Sequence, residues 1–133
     1  MKFHDLTVSY KLVDVVDGFP FDEKDKSPRY HYKITVKKDS SRRMFDYYTS
    51  INDYQNGKKE LDENDLKFAL ECILFDAIAG LDTFSNFCSE FGYDEDSRKA
   101  EKVWKSCKRS TAKLLSLGLL ESQLYDYINE IRE

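Results

Sequence analysis

The spacing of apolar residues changes once along this chain, and that change limits the fold more than any other feature. Up to about residue 60, apolar and polar side chains alternate, as in a strand that buries one face. From residue 62 onward, apolar residues recur every three or four positions, the period of an amphipathic helix. The pattern predicts an α+β fold, with a small antiparallel sheet in the N-terminal half packed against a C-terminal bundle of three to four helices.

A length of 133 residues is most simply one domain, so we expect a single domain over 1–133, mostly β over 1–60 and mostly α over 61–133. We expect a first strand from Leu6 to Leu12, with a bulge or a strand end at the valines that follow. A charged loop with two prolines occupies 17–28.

The second strand shows the clearest alternation. One face carries Tyr30, Tyr32, Ile34 and Val36, which predicts that these side chains are buried. A third strand over 44–49 completes a hairpin, and 50–60 is expected to be irregular. Aromatic rings beside basic residues on these strands could stack nucleic-acid bases, but the alternation favours placing the rings in the core.

Four helices are expected after residue 61. Asp62 is a candidate N-cap for the first, and Thr83 for a short second helix that stops at Gly92. Asp94 or Asp96 is expected to cap a third helix that runs to Leu117. The last helix, from about residue 119, is expected to bury four side chains: Leu120, Leu124, Ile128 and Ile131.

Charge is sorted along the chain although the net charge is only −4. Residues 61–97 hold one cation and 10 anions, whereas residues 98–113 hold seven cations and one anion. The sorted charge defines two candidate partner-binding sets. The acidic set is Asp62, Glu63, Asp65, Asp94, Glu95 and Asp96. The basic set, on one side of the third helix, is Arg98, Lys102, Lys105, Arg109 and Lys113, and it could bind nucleic acid or an acidic protein.

Both sets have a simpler interpretation. Acidic residues favour helix N-termini, and a charged helix stripe is commonly just its solvated side. Three acidic residues in succession at 94–96 exceed what one cap requires, so they could instead imitate nucleic-acid phosphates.

No catalytic or cofactor motif is present. The five glycines are not clustered as a phosphate-binding loop requires, and no nucleophile elbow or metalloprotease motif occurs. Cys72, Cys88 and Cys107 are spaced too widely for a typical structural zinc site, and with His4 and His31 they are expected to have packing roles. We therefore expect no metal, no cofactor and no enzymatic activity.

The N-terminus lacks a signal-peptide pattern, and no apolar run reaches the length of a membrane span. The odd number of cysteines also suits a reducing compartment. These features predict a cytoplasmic protein that does not enter a membrane.

The run FCSEFGYDEDSRKAEKVWKSCKRSTAKL at 87–114 resembles a segment of small, mostly uncharacterised phage and prophage proteins of bacteria. A preceding helix with an LxCxLxDA-like pattern belongs to the resemblance; here it supplies Leu70, Cys72, Leu74, Asp76 and Ala77. The similarity covers 66–117 and is most specific at Ser97–Ala100. The long loop at 17–28 and the helix after Gly118 depart from it. The resemblance implies a phage origin, and therefore a place in the cytoplasm of a bacterial host cell, but no activity.

Three functions remain open from the sequence. The first is a phage-encoded protein that inhibits a bacterial defence nuclease, such as a CRISPR effector, by blocking a nucleic-acid or partner surface; small phage proteins with acidic blocks offer the analogy. The second is an accessory protein of phage replication or recombination that binds single-stranded DNA. The third is a structural protein that acts by forming an oligomer, for instance a homodimer.

Overall fold

The computed structural model describes residues 1–133 and confirms the α+β class. The chain forms two compact units, Met1–Ala69 and Leu70–Glu133, hereafter the N-terminal and C-terminal units. The strands and helices, in chain order, are β1 Lys2–Phe3, β2 Leu6–Asp17, β3 Pro28–Lys38, β4 Ser41–Tyr48, α1 Ile51–Gln55, α2 Glu63–Ala79, α3 Phe84–Phe91, α4 Arg98–Ser116 and α5 Glu121–Ile131. The boundary between the two units falls within α2.

The four strands form one antiparallel sheet in the order β1-β2-β3-β4. Two-residue loops join β1 to β2 and β3 to β4, and their first residues, His4 and Asp39, have left-handed φ angles of 53° and 56°. Short loops of this kind match the twist of the strands they connect. The expected bulge is confirmed, since the β2–β3 register shifts between Leu12 and Asp14, and β2 continues to Asp17. The sequence did not predict β1.

The alternation in β3 is confirmed. Tyr30, Tyr32, Ile34 and Val36 are at most 5% exposed. Residues 50–60 were expected to be irregular. This was wrong for 51–55, which form the short helix α1, whereas 56–60 contain no helix or strand. The Ser50 hydroxyl caps this helix by accepting a hydrogen bond from the Asp53 amide at 3.2 Å.

The C-terminal unit consists of most of α2 together with α3, α4 and α5. Thr83 caps α3, and Gly92 ends it with a φ of 74°, both as expected. The expected cap of α4 was wrong. Ser97, rather than Asp94 or Asp96, accepts a hydrogen bond from the Ala100 amide at 3.1 Å, because the hydroxyl directly before the first turn reaches that amide.

The core of the C-terminal unit includes buried residues from α2, α3 and α4. They are Ala79, Phe87, Cys88, Ala100 and Cys107. In α5, Leu124, Ile128 and Ile131 are buried as expected. Leu120 is 65% exposed, so its predicted burial was wrong; it precedes the first turn of α5 and is not on the inward side of that helix.

Glycine allows the end of α2 to approach α4 closely. A Cβ atom at Gly80 would lie 2.5 Å from the carbonyl oxygen of Cys107, closer than Cβ atoms come to a non-bonded atom in proteins. The Thr111 hydroxyl lies 2.6 Å from the Ala77 carbonyl oxygen and hydrogen-bonds to it. Gly80 and Thr111 therefore set the spacing of these two helices.

Candidate functional site

Helix α4 separates its charged side from its buried side, as the sequence predicted. Ala100, Cys107, Thr111 and Leu114 are buried, while the basic side faces solvent. We call the five basic residues of that side the α4 stripe. They are Arg98, Lys102, Lys105 and Arg109, which are exposed, and Lys113, which is half-buried.

Most of the exposed charge in the α4 stripe is not neutralised within the molecule. Lys105 pairs with Glu101 at 2.8 Å, one turn earlier on the same helix. Arg98, Lys102 and Arg109 form no ion pair. Three cations along one helix side are therefore open to an anionic partner.

An acidic turn directly precedes α4. Asp94, Glu95 and Asp96 are exposed and form no ion pair with the α4 stripe or with any other residue. This turn, which we call the acidic turn, begins two residues after the left-handed Gly92 that ends α3. The C-terminal unit thus presents separate negative and positive surfaces next to each other along the chain.

The acidic candidates near residue 62 have a structural role. The Asp62 carboxylate accepts a hydrogen bond from the Asp65 amide at 2.8 Å, and the Asp65 carboxylate accepts one from the Asp62 amide at 3.0 Å. This reciprocal arrangement is a capping box, so Asp62 caps α2 as expected. Asp65 also pairs with Lys58 at 2.8 Å. Glu63 is exposed in the first turn of α2.

Burial opposes ionisation of Asp65, but the hydrogen bonds from Lys58 and from the Asp62 amide outweigh it and lower the pKa of this carboxyl. Asp62 and Asp65 are thus engaged within their own unit. Of the six acidic candidates, only Glu63 and the acidic turn remain open to a partner.

The cysteine thiols lack the surroundings of a reactive nucleophile or metal ligand. Burial, reinforced by the Asp76 carboxylate, raises the pKa of Cys72 to about 11 and that of Cys107 to about 12. Cys88 is buried. Because the thiolate is the nucleophile and metal ligand, such thiols are poorly reactive near neutral pH.

Sequence reasoning missed a charged cluster on the face of the sheet opposite the buried tyrosines, here the outer face. His31 lies between two carboxylates, 2.9 Å from Asp14 and 2.8 Å from Asp46, and its ring stacks on Tyr48. Lys33 adds an ion pair with Asp46 at 2.6 Å. The cluster would have been predictable if the pairing of the strands had been known. Asp14 and Tyr48 lie opposite His31, and Asp46 lies opposite Lys33.

The N-terminal unit also has an open cleft of about 580 Å³ between Tyr10 and residues 57–62. Its rim carries both signs of charge, from Lys58, Lys59, Glu60 and Asp62, so it does not select one class of ligand by charge. No three His, Cys, Asp or Glu side chains are grouped closely enough to hold a metal ion.

None of the five helices combines the length and the apolar content needed to cross a membrane. Comparison of the chain with protein-family models, curated proteins and solved structures gave no match. The resemblance to phage proteins stays a prediction, and so do the partners expected from the sequence.

Proposed function

We propose that this protein is a non-enzymatic binding protein that uses the charged surfaces of its C-terminal unit to occupy the nucleic-acid surface of a bacterial defence nuclease. One observation carries the proposal: the acidic turn and three cations of the α4 stripe, Arg98, Lys102 and Arg109, are exposed and form no ion pair. A protein that pairs its charges internally has little left to direct a partner, whereas sorted and open charges favour a partner with the opposite pattern.

The acidic turn supplies the part that would compete with nucleic acid. Three carboxylates in succession present a dense negative charge, and a nuclease binds phosphates with Lys and Arg. The adjacent positive stripe favours a protein partner over a uniformly negative polymer, because only a protein offers both signs at neighbouring places. The class of nuclease, such as a CRISPR effector, rests on the analogy with small phage proteins that carry acidic blocks.

The test measures cleavage of a labelled DNA target by purified CRISPR effector nucleases with increasing amounts of this protein. We expect inhibition by the wild type and its loss in the double variant Asp94→Lys, Asp96→Lys. The matched control is Asp126→Lys, Glu133→Lys, which makes the same charge change at exposed positions of the same unit. Equal inhibition by both double variants, or no inhibition of any effector type, would refute the proposal.

A second function is favoured by the unpaired cations of the α4 stripe. Arg98, Lys102 and Arg109 could bind the phosphates of single-stranded DNA, as in an accessory protein of replication or recombination. This function predicts binding of a labelled oligonucleotide that weakens steeply with salt and is reduced by Arg98→Gln, Lys102→Gln. No anisotropy change at low salt would exclude it.

A further inference from the structure

The outer face of the sheet carries several positive charges that form no ion pair within the molecule. The strand register aligns Lys2, Thr7, Lys37 and Arg42 in one row across all four strands. Two rows further along, Lys11 lies opposite Lys33. All these residues share the face opposite the buried Val36 and Ile34, because neighbours across antiparallel strands point to the same side.

Two like-charged pairs therefore lie directly opposite each other, Lys37 with Arg42 and Lys11 with Lys33. Like charges in this position destabilise a sheet. Lys33 is balanced by Asp46. Four other cations, which we call the cationic sheet patch, are exposed and form no ion pair: Lys2, Lys11, Lys37 and Arg42.

The size of the cationic sheet patch and the side chains within it limit the kinds of partner that it can bind. Four strands span about 14 Å across, and the five residues from Thr7 to Lys11 span about 13 Å along a strand. A partner must place several anionic groups within this area. The intervening positions carry Ser9 and Thr35, whose hydroxyls can donate hydrogen bonds to phosphate oxygens.

We propose that the cationic sheet patch binds the phosphate backbone of a single-stranded nucleic acid. A sheet face offers no helix that could enter a duplex groove, so a single strand lying along it makes the most contacts. An anionic membrane would require more apolar surface, and Met44 is the one large apolar residue exposed in these rows. The site lies in the N-terminal unit, whereas the acidic turn and the α4 stripe belong to the C-terminal unit.

The experiment measures fluorescence anisotropy of labelled oligo(dT) and oligo(rU) of about 16 nucleotides, a length that covers a typical single-strand footprint. The test variant is Lys37→Gln, Arg42→Gln. Its matched control is Lys24→Gln, Lys26→Gln, which removes two exposed cations from the loop between β2 and β3.

We expect the test variant to bind at least about tenfold more weakly at about 50 mM salt, with a salt slope shallower by about 1.4, as for two lost phosphate contacts. The control should bind like the wild type. The thermal midpoint of the test variant should rise or stay equal, because a like-charge pair has been removed. Weaker binding by a protein of undiminished stability separates a binding role from a structural one.

Three outcomes would overturn the inference. Binding that is lost in Arg98→Gln, Lys102→Gln but unchanged in Lys37→Gln, Arg42→Gln would place the site on α4 alone. Equal affinity for a duplex of the same sequence would remove the preference for a single strand. Absence of oligonucleotide binding, with or without binding to vesicles rich in phosphatidylserine, would reject nucleic acid as the partner.

Discussion

Replacing Gly80 by alanine tests the close approach of α2 and α4 in the C-terminal unit. Gly80 does not have a left-handed backbone, so helix propensity and unfolded-chain entropy alone predict that Gly80→Ala stabilises the protein by up to about 1 kcal/mol. The structure predicts the opposite sign. The new Cβ would lie 2.5 Å from the carbonyl oxygen of Cys107 and 2.6 Å from its carbonyl carbon.

These Cys107 atoms belong to the backbone of α4, which cannot move without shifting the helix. Overpacking of this kind costs about 1–3 kcal/mol and sometimes more, and the rigid neighbour places this site near the upper end. After the propensity gain is subtracted, we expect a net loss of about 2 kcal/mol in the free energy of unfolding. With an unfolding entropy of about 2.1 cal/mol/K per residue, the thermal midpoint should fall by about 7 °C.

Thermal unfolding followed by circular dichroism at 222 nm measures the loss. Trp104 adds a local readout. Its indole N–H donates a hydrogen bond at 3.2 Å to the carbonyl oxygen of Asp82, which is two residues after Gly80. We expect Gly80→Ala to change the Trp104 fluorescence maximum. The control is Gly57→Ala in the other unit, where a Cβ would meet no atom within 4 Å and only the left-handed φ of 67° opposes it.

Gly57→Ala should lose about 1 kcal/mol, and the Trp104 emission should stay unchanged. An unchanged or higher midpoint for Gly80→Ala would refute the reasoning, because it would show that the helices are not held at the observed spacing.

Three other substitutions or measurements test single features. Ser97→Ala should lower stability by about 1 kcal/mol in denaturant unfolding, whereas Asp96→Ala should change it little, since Ser97 caps α4. Burial opposes ionisation of Asp46, but hydrogen bonds from Lys33 and His31 lower its pKa below 3.8. The stability it contributes is therefore present above that pH and is lost as the pH falls through the lower folded value, so the difference in thermal midpoint between wild type and Asp46→Asn should shrink from pH 7 to pH 3. The Cys72 thiol, with its pKa raised from 9.0 to about 11, should form about a hundredfold less thiolate at pH 8 than a thiol of unshifted pKa. Because a more basic thiolate is also more nucleophilic, it should react about tenfold more slowly with Ellman's reagent, and a rate like that of free cysteine would contradict its burial.

Local patterns in the sequence were enough for most of the elements. The alternation from Tyr30 to Val36 determined which face of β3 is buried, because successive side chains of a strand point to opposite sides. The stop at Gly92 and the cap at Thr83 also followed from local chemistry. The error at α4 was local too: Asp94, Asp96 and Ser97 are all good caps, and the sequence does not say which one directly precedes the first turn.

The two candidate surfaces were also only partly predictable from the sequence. A helical period of 3.6 residues put Arg98, Lys102 and Arg109 on one side of α4, so that stripe was readable from the sequence. The sequence could not show whether these charges form ion pairs within the molecule, since ion pairs can join residues far apart in the chain. The structure shows that Asp65 is engaged by Lys58 and the α2 cap while the acidic turn is open.

By itself, the sequence determined the class of fold, the buried faces of its strands and helices, and the sorting of charge along the chain, because each of these depends on spacing within one element. Only the tertiary structure decided that Lys37 lies opposite Arg42, that His31 lies between Asp14 and Asp46, and that Gly80 faces the backbone of α4. Strand register and helix spacing arise when separate segments pack, and no single segment contains that information.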